Sequence, residues 1–188
     1  AGIAAYLDGR NVKAKLKKKN INHQQADIAI VGMAGRFPGA NDIAGFWHNL
    51  TQGKESIRFF EDHELDPSIP KSLISNPNYV KARGIIEEPA AFDPAFFGIN
   101  PKLAELMDPQ QRIFLEIAWE ALESSGHTPQ IYEGTIGVFA GCRFNTYYSN
   151  NVLSNQDRID NVGAFQVGTV SDKDYIATRT AFALDLKG

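Results

Sequence analysis

Residues 92–126 constrain the fold of this chain more than any other stretch, because they predict two consecutive helices with clear start signals. Asn100 can cap the first helix through its side-chain oxygen, and Pro101 at the first helical position has no amide hydrogen to leave unpaired. Asp108 and Pro109 repeat this signal for a longer helix. The chain should therefore contain a helix pair with well-defined ends.

The longer helix should end at Gly126 in the left-handed conformation and should have an unusually wide apolar face. That face comprises Phe114, Leu115, Ile117, Ala118, Trp119, Ala121 and Leu122. The remaining polar stripe comprises Arg112, Glu116, Glu120 and Glu123. The pattern predicts a helix buried within a layered domain, with Trp119 largely buried, Glu120 exposed, and Arg112 and Glu116 spaced for an ion pair. We interpret these residues as core architecture rather than as a chemical site.

Two short apolar runs, residues 28–31 and 135–141, predict strands that are buried on both faces of a sheet. The first run is followed by the glycine-rich sequence GMAGRFPG. This sequence lacks the G-x-G-x-x-G fingerprint of dinucleotide-binding turns, and the chain has no P-loop Gly-Lys-Ser/Thr. We therefore predict turns at these glycines and no nucleotide site.

The other segments complete an alternation of strands and helices. Helices are predicted over 42–52 and 172–184, and a short hairpin is predicted over 79–86. Residues 142–171 are polar, and their tyrosines and asparagines suggest a groove or a subunit contact. Strands that alternate with helices favour an α/β architecture with layered sheets.

Composition and charge set the broad class. The chain has 188 residues, 43% of them hydrophobic, which is enough for one core. Cys142 is the only cysteine, so an internal disulfide is impossible and a reducing, cytoplasmic compartment is expected. We find no signal peptide and no apolar run near the roughly 20 residues that a membrane span needs.

The net charge of −3 conceals a basic N-terminal segment, residues 1–26. Its lysine-rich part, residues 11–25, has neither interleaved aromatic residues for stacking on bases nor an apolar face for a bilayer. We therefore predict a solvated linker and no nucleic-acid or membrane partner. Residues 1–7 could be a linker, a cloning remnant or the end of a preceding carrier domain.

Several motifs together resemble the β-ketoacyl synthase (ketosynthase) domain of modular polyketide synthases. They are FDPAFFGINP, MDPQQR and EIAWEALESSG in the helix pair, with DIAIVGMAGRFPGA (27–40), IGVFAG (136–141) and DKDYIATRTAFALDLKG (172–188) in the expected order. The resemblance covers residues 27–188 almost continuously. It implies the N-terminal half of a thiolase-like fold with α-β-α-β-α layers, with the chain ending before the strand that carries the family's nucleophile.

The resemblance also implies a chemistry for the complete enzyme. A ketosynthase joins an acyl and a malonyl-type thioester by decarboxylative Claisen condensation, with both substrates carried on the 4′-phosphopantetheine of acyl carrier domains. A cysteine thiolate holds the acyl group and two histidines stabilise the enolate. The enzyme is a homodimer and works beside other synthase domains.

This chain lacks those catalytic residues, so we predict that it is inactive alone and is not acylated. Cys142 lies in GCRFNTYY, which differs from the family's nucleophile motif, and we expect it to pack as a small core residue. His23, His48, His63 and His127 match neither catalytic histidine motif and are expected at the surface. No catalytic residue, bound cofactor or metal site is predicted.

The resemblance does imply two sets of site residues. Candidates for the substrate pocket are Arg143, Phe144 and Asn145. Candidates for the dimer interface are Tyr175, Ile176, Arg179 and Phe182. Near that interface we expect exposed apolar side chains, namely Ile176, Phe182, Leu184 and Leu186, and hence self-association.

An alternative function remains open from the sequence. A truncated ketosynthase could act as a non-catalytic docking or scaffolding element for other components of the synthase. Both functions predict the same residues up to Gly188. The acyl substrate, the product and the place in an assembly line are not encoded in recognisable motifs.

Overall fold

The structure is a computed structural model that describes residues 27–188. The predictions for residues 1–26, including the linker, the carrier-domain end and His23, lie outside the described residues. Within the described residues the α-helices are α1 (Ile43–Thr51), α2 (Lys71–Ile74), α3 (Pro101–Leu106), α4 (Pro109–Ser125), α5 (Gln156–Val162), α6 (Ala164–Ser171) and α7 (Ile176–Ala183). Short 3-10 helices span Asp62–Glu64 and Lys173–Tyr175, a π-helical turn spans Tyr148–Val152, and strands β1 (Arg58–Phe59) and β2 (Ala82–Arg83) pair antiparallel.

The predicted helix pair is present with the predicted ends. The Asn100 side chain accepts a hydrogen bond from the Lys102 amide, and the Asp108 side chain accepts one from the Gln110 amide, so both caps are formed. Gly126 ends α4 in the left-handed conformation, with φ of 70°. These ends were predictable because capping depends on residues only two or three positions away.

Two hydrophobic clusters hold the helices together. One contains Leu106, Val152, Ile159 and Val167, and the other contains Met107, Leu115 and Val170. Because Leu106 and Met107 are adjacent, the junction between α3 and α4 contributes to both clusters. Accordingly, α3 packs against α6 and α4 packs against α7. The helix pair is therefore the centre of the described fold.

The predicted strands over 28–31 and 135–141 are not formed as paired strands; β1 and β2 make the only sheet among residues 27–188. Ile28 is 95% exposed and Phe139 is 98% exposed, so neither run is covered on both faces. An apolar run indicates a preference for a sheet, but a strand also needs a hydrogen-bonding neighbour. Gly32 after the first run lies close to α4, since an added Cβ would be 2.6 Å from the Ala121 carbonyl oxygen.

The local hairpin predicted over 79–86 is also wrong. Ala82 and Arg83 pair with Phe59 and Arg58, about two dozen residues earlier in the chain, and not with a second strand inside 79–86. Turn-forming residues and alternation indicate that a strand is present, but they do not identify its partner. The helix predicted over 42–52 is confirmed as α1, and the one predicted over 172–184 as a 3-10 turn followed by α7.

Of the polar stripe of α4, only Glu123 is exposed as predicted. Arg112 is buried and its guanidinium lies 6.0 Å from the centre of the Tyr147 ring, and no Arg112–Glu116 ion pair forms. Glu120 is also only partly exposed, because both carboxylate oxygens bind the guanidinium of Arg36. The prediction that Trp119 is largely buried is wrong, because it is partly exposed and its main aromatic contact, edge to face at 5.3 Å, is with the exposed Phe96.

No helix in the described part of the chain is both long and apolar enough to span a membrane.

Candidate functional site

A cavity of about 550 Å³ lies beside the segment that follows Cys142, and we call it the Phe144 cavity. Its walls are formed by Phe144, Asn145 and Tyr148 on one side and by α6 and the 3-10 turn on the other. The second wall comprises Ala164, Phe165, Gly168, Thr169, Ser171, Asp172, Lys173 and Tyr175. Most of the lining is apolar or aromatic, which is typical of sites that take an organic ligand.

Asn145 joins the two walls of the Phe144 cavity. Its side-chain amide nitrogen donates to the Ser171 carbonyl at 2.8 Å, and its side-chain oxygen accepts from the Tyr148 amide at 2.9 Å. The Ser171 hydroxyl is buried and has no hydrogen-bond partner among the described residues. Asn145 is thus a structural bridge of the cavity as well as part of its lining.

The three pocket candidates do not have equivalent positions. Phe144 and Asn145 line the Phe144 cavity, whereas Arg143 does not. The main chain of Arg143 is instead held by the side chain of Gln110, which accepts from the Arg143 amide at 3.1 Å and donates to its carbonyl at 3.2 Å. Arg143 therefore contributes to the site through its backbone.

Cys142 lies at the edge of this region, in a setting that disfavours a thiolate. Its sulfur is 3.9 Å from the Lys173 carbonyl oxygen. Partial burial raises the pKa of the Cys142 thiol, and the negative charge of Asp108 raises it further, although Lys173 acts in the opposite direction. The predicted core packing is only partly correct, since Cys142 is half-buried. A raised pKa is the opposite of what a nucleophilic cysteine needs.

The dimer-interface candidates also separate into different environments. Tyr175 lines the Phe144 cavity and Phe182 is 88% exposed, so both are accessible. Ile176 is only 3% exposed and Leu184 only 6%, so the prediction that these two form exposed apolar surface is wrong. Helical periodicity indicates a common apolar stripe, but it does not indicate that α7 turns this stripe toward α4.

Arg179, the fourth interface candidate, is half-buried. One guanidinium nitrogen donates to the Thr169 hydroxyl at 3.3 Å, and its Nε atom is buried with no partner in the described residues. Burial lowers the pKa of the Arg179 guanidinium. Arg179 thus links α7 to α6, the helix that forms one wall of the Phe144 cavity.

The histidines within residues 27–188 lie apart from the cavity. His48 and His63 are exposed, and His127 is partly buried with its Nδ1 2.7 Å from the Ser125 carbonyl oxygen. In the described part of the chain, no three His, Cys, Asp or Glu side chains group closely enough to hold a metal ion.

Sequence reasoning missed several residues of the site. Gln110 and Gln111 belong to the MDPQQR motif, which was assigned to core architecture, yet both side chains bind backbone groups beside the cavity. Tyr148 and Phe165, by contrast, belong to the segment 142–171 that was expected to line a groove or a subunit contact, and both line the Phe144 cavity.

The comparisons with known proteins identify the family. The family described as the N-terminal domain of β-ketoacyl synthases matches residues 25–188. The chain belongs to the β-ketoacyl synthase family. The resemblance carried by the sequence motifs is therefore confirmed.

Solved ketosynthases share the fold. Ketosynthase twelve of the bacillaene polyketide synthase from Bacillus amyloliquefaciens superimposes with a TM-score of 0.70 and is 37% identical, covering 85% of this chain and 28% of that one. The oxazolomycin ketosynthase domain OzmH KS7 of Streptomyces albus JA3453 gives a TM-score of 0.68 at 30% identity, covering 87% of this chain and 28% of that one. The predicted fold, the N-terminal part of a thiolase-like ketosynthase domain, is confirmed.

The curated relatives are polyketide synthases. A component of the phenolphthiocerol/phthiocerol polyketide synthase of Mycobacterium tuberculosis is 40% identical over 168 residues, which is 86% of this chain and 11% of the relative. Polyketide synthase PksN of Bacillus subtilis is 34% identical over 182 residues, 96% of this chain and 3% of the relative. The chain thus spans only a small part of the length of the relatives it matches.

Proposed function

We propose that this chain is the N-terminal part of a polyketide synthase ketosynthase and that it forms one wall of the acyl-binding pocket. The complete enzyme would catalyse decarboxylative Claisen condensation between an acyl and a malonyl-type thioester. Both substrates would be carried on the phosphopantetheine of acyl carrier domains. The names of the relatives, all polyketide synthases, support this substrate class.

The observation that carries the proposal is the lining of the Phe144 cavity. Phe144 and Asn145, selected from the family resemblance alone, lie on the same cavity of about 550 Å³. The aromatic side chains of Phe144 and Phe165 provide apolar surface for an acyl chain, and the amide of Asn145 adds a polar group that can orient it. A volume of about 550 Å³ also lies within the range of roughly 300–1,000 Å³ that is typical of small-molecule sites, which supports an organic ligand.

The chain would contribute binding surface and not the nucleophile. Acyl transfer needs a thiolate, and the pKa of Cys142 is raised by burial. None of the histidines in the described residues lines the Phe144 cavity. We therefore infer that the 188-residue chain is catalytically inactive by itself.

The proposed function implies further assignments. Residues 1–26 would be a linker before the domain at 27–188, in a cytoplasmic protein. Acyl carrier domains, other synthase domains and a second ketosynthase would be partners, with Tyr175 and Phe182 as the accessible interface candidates. Phosphopantetheine would reach the chain as part of the substrate and not as a resident cofactor.

Binding of octanoyl-pantetheine to the purified chain tests the proposed function. We expect saturable binding by isothermal titration and about tenfold weaker binding for Phe144→Ala, because apolar contact with the ring is lost. Phe59→Ala is the control, since Phe59 is also exposed but lies on β1 away from the cavity. Equal affinities for the native chain and Phe144→Ala would contradict the assignment of the pocket.

The reading frame beyond Gly188 in the source genome separates the condensing function from the docking alternative. We expect continuation into a cysteine-bearing motif. A stop codon directly after Gly188 would favour the docking role instead.

A further inference from the structure

We propose that Gln110 and Gln111 are positioning residues that fix the two walls of the Phe144 cavity and thereby set which acyl chains it accepts. This inference rests on the proposed function, because it assumes that the cavity takes an acyl group. Both glutamines belong to the MDPQQR motif at the start of α4, and neither lines the cavity. They would act through the backbone segments that do line it.

Gln110 holds the wall that contains Phe144. Its side-chain oxygen accepts from the Arg143 amide at 3.1 Å, and its side-chain nitrogen donates to the Arg143 carbonyl at 3.2 Å. One amide side chain thus pairs with both backbone groups of a single residue, as a neighbouring strand would. Arg143 lies outside any helix or sheet of the described residues, so this pairing satisfies two backbone groups that no regular element satisfies.

Gln110 is itself held in one orientation. Its side-chain nitrogen also donates to the Asp108 carboxylate at 3.1 Å. The other oxygen of that carboxylate caps α4, and the Asp108 amide donates to the Val170 carbonyl at 3.1 Å. Because Asp108 is 1% exposed, the glutamine is anchored on a buried group between α4 and α6.

Gln111 holds the opposite wall. Its side-chain nitrogen donates to the Asp172 carbonyl at 2.9 Å, at the point where α6 ends and the 3-10 turn begins. The side chain is 1% exposed, so the bond is shielded from water. Ser171 and Asp172 both line the Phe144 cavity, and adjacent residues of one helix turn therefore set the separation of its two walls.

The thiol of Cys142 offers a test that needs no acyl ligand. Cys142 precedes Arg143, so release of the Arg143 backbone should expose the sulfur. Gln110→Met keeps the length of the side chain but loses both hydrogen bonds to Arg143 and the one to Asp108. We expect its alkylation by N-ethylmaleimide to be about tenfold faster than that of the native chain. Gln130→Met is the matched control, because Gln130 is exposed and lies after α4, away from Cys142. Equal alkylation rates in all three proteins would overturn the proposal.

Hydrogen exchange of the native chain covers the case in which Gln110→Met does not fold. Within the described residues, the Arg143 amide has a hydrogen-bond acceptor, and none is found for the amides of Cys142 and Phe144. We expect the Arg143 amide to exchange at least tenfold more slowly than these neighbours. Exchange of all three amides at one rate would overturn the proposal.

The selectivity of the cavity distinguishes positioning from general stabilisation. With butyryl-, hexanoyl- and octanoyl-pantetheine as probes, Gln110→Met should reduce the ratio of the weakest to the tightest Kd by at least threefold, whereas Gln130→Met should leave this ratio unchanged. An unchanged ratio in Gln110→Met would contradict the specificity role. If none of the probes binds the native chain, the proposed function and the specificity role both fail, whereas the alkylation and exchange results still decide whether Gln110 positions the loop.

Discussion

At the scale of single residues, the surroundings of Cys142 argue against a nucleophilic role for its thiol. Partial burial and the Asp108 carboxylate raise the pKa of its thiol, so less thiolate is present at a given pH than in an unfolded chain. We predict that alkylation by iodoacetamide at about pH 8 is slower in the native chain than in the urea-unfolded chain. We also predict that the native alkylation rate rises with pH with a midpoint above the ordinary cysteine pKa of about 8.5.

The same setting predicts that no acyl-enzyme forms on Cys142. Incubation with an acyl thioester of a carrier protein should leave the intact mass unchanged. A native alkylation rate equal to that of the unfolded chain, or a stable acyl adduct mapped to Cys142, would contradict this assignment.

The Arg36–Glu120 pair connects the loop before α1 to the polar stripe of α4. The pair is bidentate, and the hydrogen bonds that Arg36 donates to the Glu120 carboxylate are the main cause of the raised pKa of the Arg36 guanidinium. Because the Glu120 side chain is still 40% exposed, we expect a coupling of only about 1 kcal/mol in the free energy of unfolding.

A double-mutant cycle in urea with Arg36→Ala and Glu120→Ala measures this coupling. Glu123→Ala is the control, since Glu123 is exposed on the same helix and should change stability by less than about 0.5 kcal/mol. Single effects that add to within about 0.3 kcal/mol would mean that the ion pair does not connect the two segments.

Contacts that are determined by neighbouring residues in the sequence were predictable, and contacts with residues far away in the sequence were not. The caps Asn100 and Asp108 followed from neighbouring residues. The burial of Arg112 did not, because its guanidinium lies against Tyr147, which is 35 positions later. Phe144 and Asn145 were found only through the family resemblance, since no local pattern indicates a cavity wall.

At the scale of elements, α4 was predicted with its correct ends, whereas the full burial of its apolar face and the two strands were predicted wrongly. Helix α4 makes its hydrogen bonds within itself, so its period and caps are sufficient signals. The runs 28–31 and 135–141 are apolar enough for strands but lack a pairing neighbour in the described residues. A sheet is specified by non-local contacts that one segment does not contain.

Helix α4 should be anchored at Leu115 more than at Trp119. Leu115 is 1% exposed and packs with Met107 and Val170, whereas Trp119 is partly exposed. We expect Leu115→Ala to lower the free energy of unfolding by about 3–4 kcal/mol and Trp119→Ala to lower it by about 2 kcal/mol.

Urea denaturation of these two variants, with Glu123→Ala as the control, would show which substitution lowers the free energy of unfolding more. A larger loss of stability for Trp119→Ala than for Leu115→Ala would contradict the assignment of Leu115 as the anchor of α4. If Leu115→Ala is too unstable to purify, Leu115→Val, with a smaller cavity, gives the same comparison.

At the scale of the whole molecule, exposed aromatic side chains predict self-association. Phe165 and Phe182 are 79% and 88% exposed, and Phe144 adds a third exposed ring beside Phe165 at the cavity. Exposed apolar surface of this kind favours association. We expect sedimentation equilibrium to detect oligomers of the native chain, and Phe165→Ser with Phe182→Ser to shift them toward monomer. A native chain that remains monomeric over a wide concentration range would count against this prediction.

The central claim is that residues 27–188 form a working N-terminal part of a ketosynthase. The most direct measurement is condensation by a chimera in which this segment replaces the matched region of the 37%-identical Bacillus amyloliquefaciens ketosynthase. We predict that the chimera folds, acylates its own cysteine and releases a β-ketoacyl product, while the isolated 188-residue chain releases none. A folded chimera that is neither acylated nor able to condense would contradict the claim.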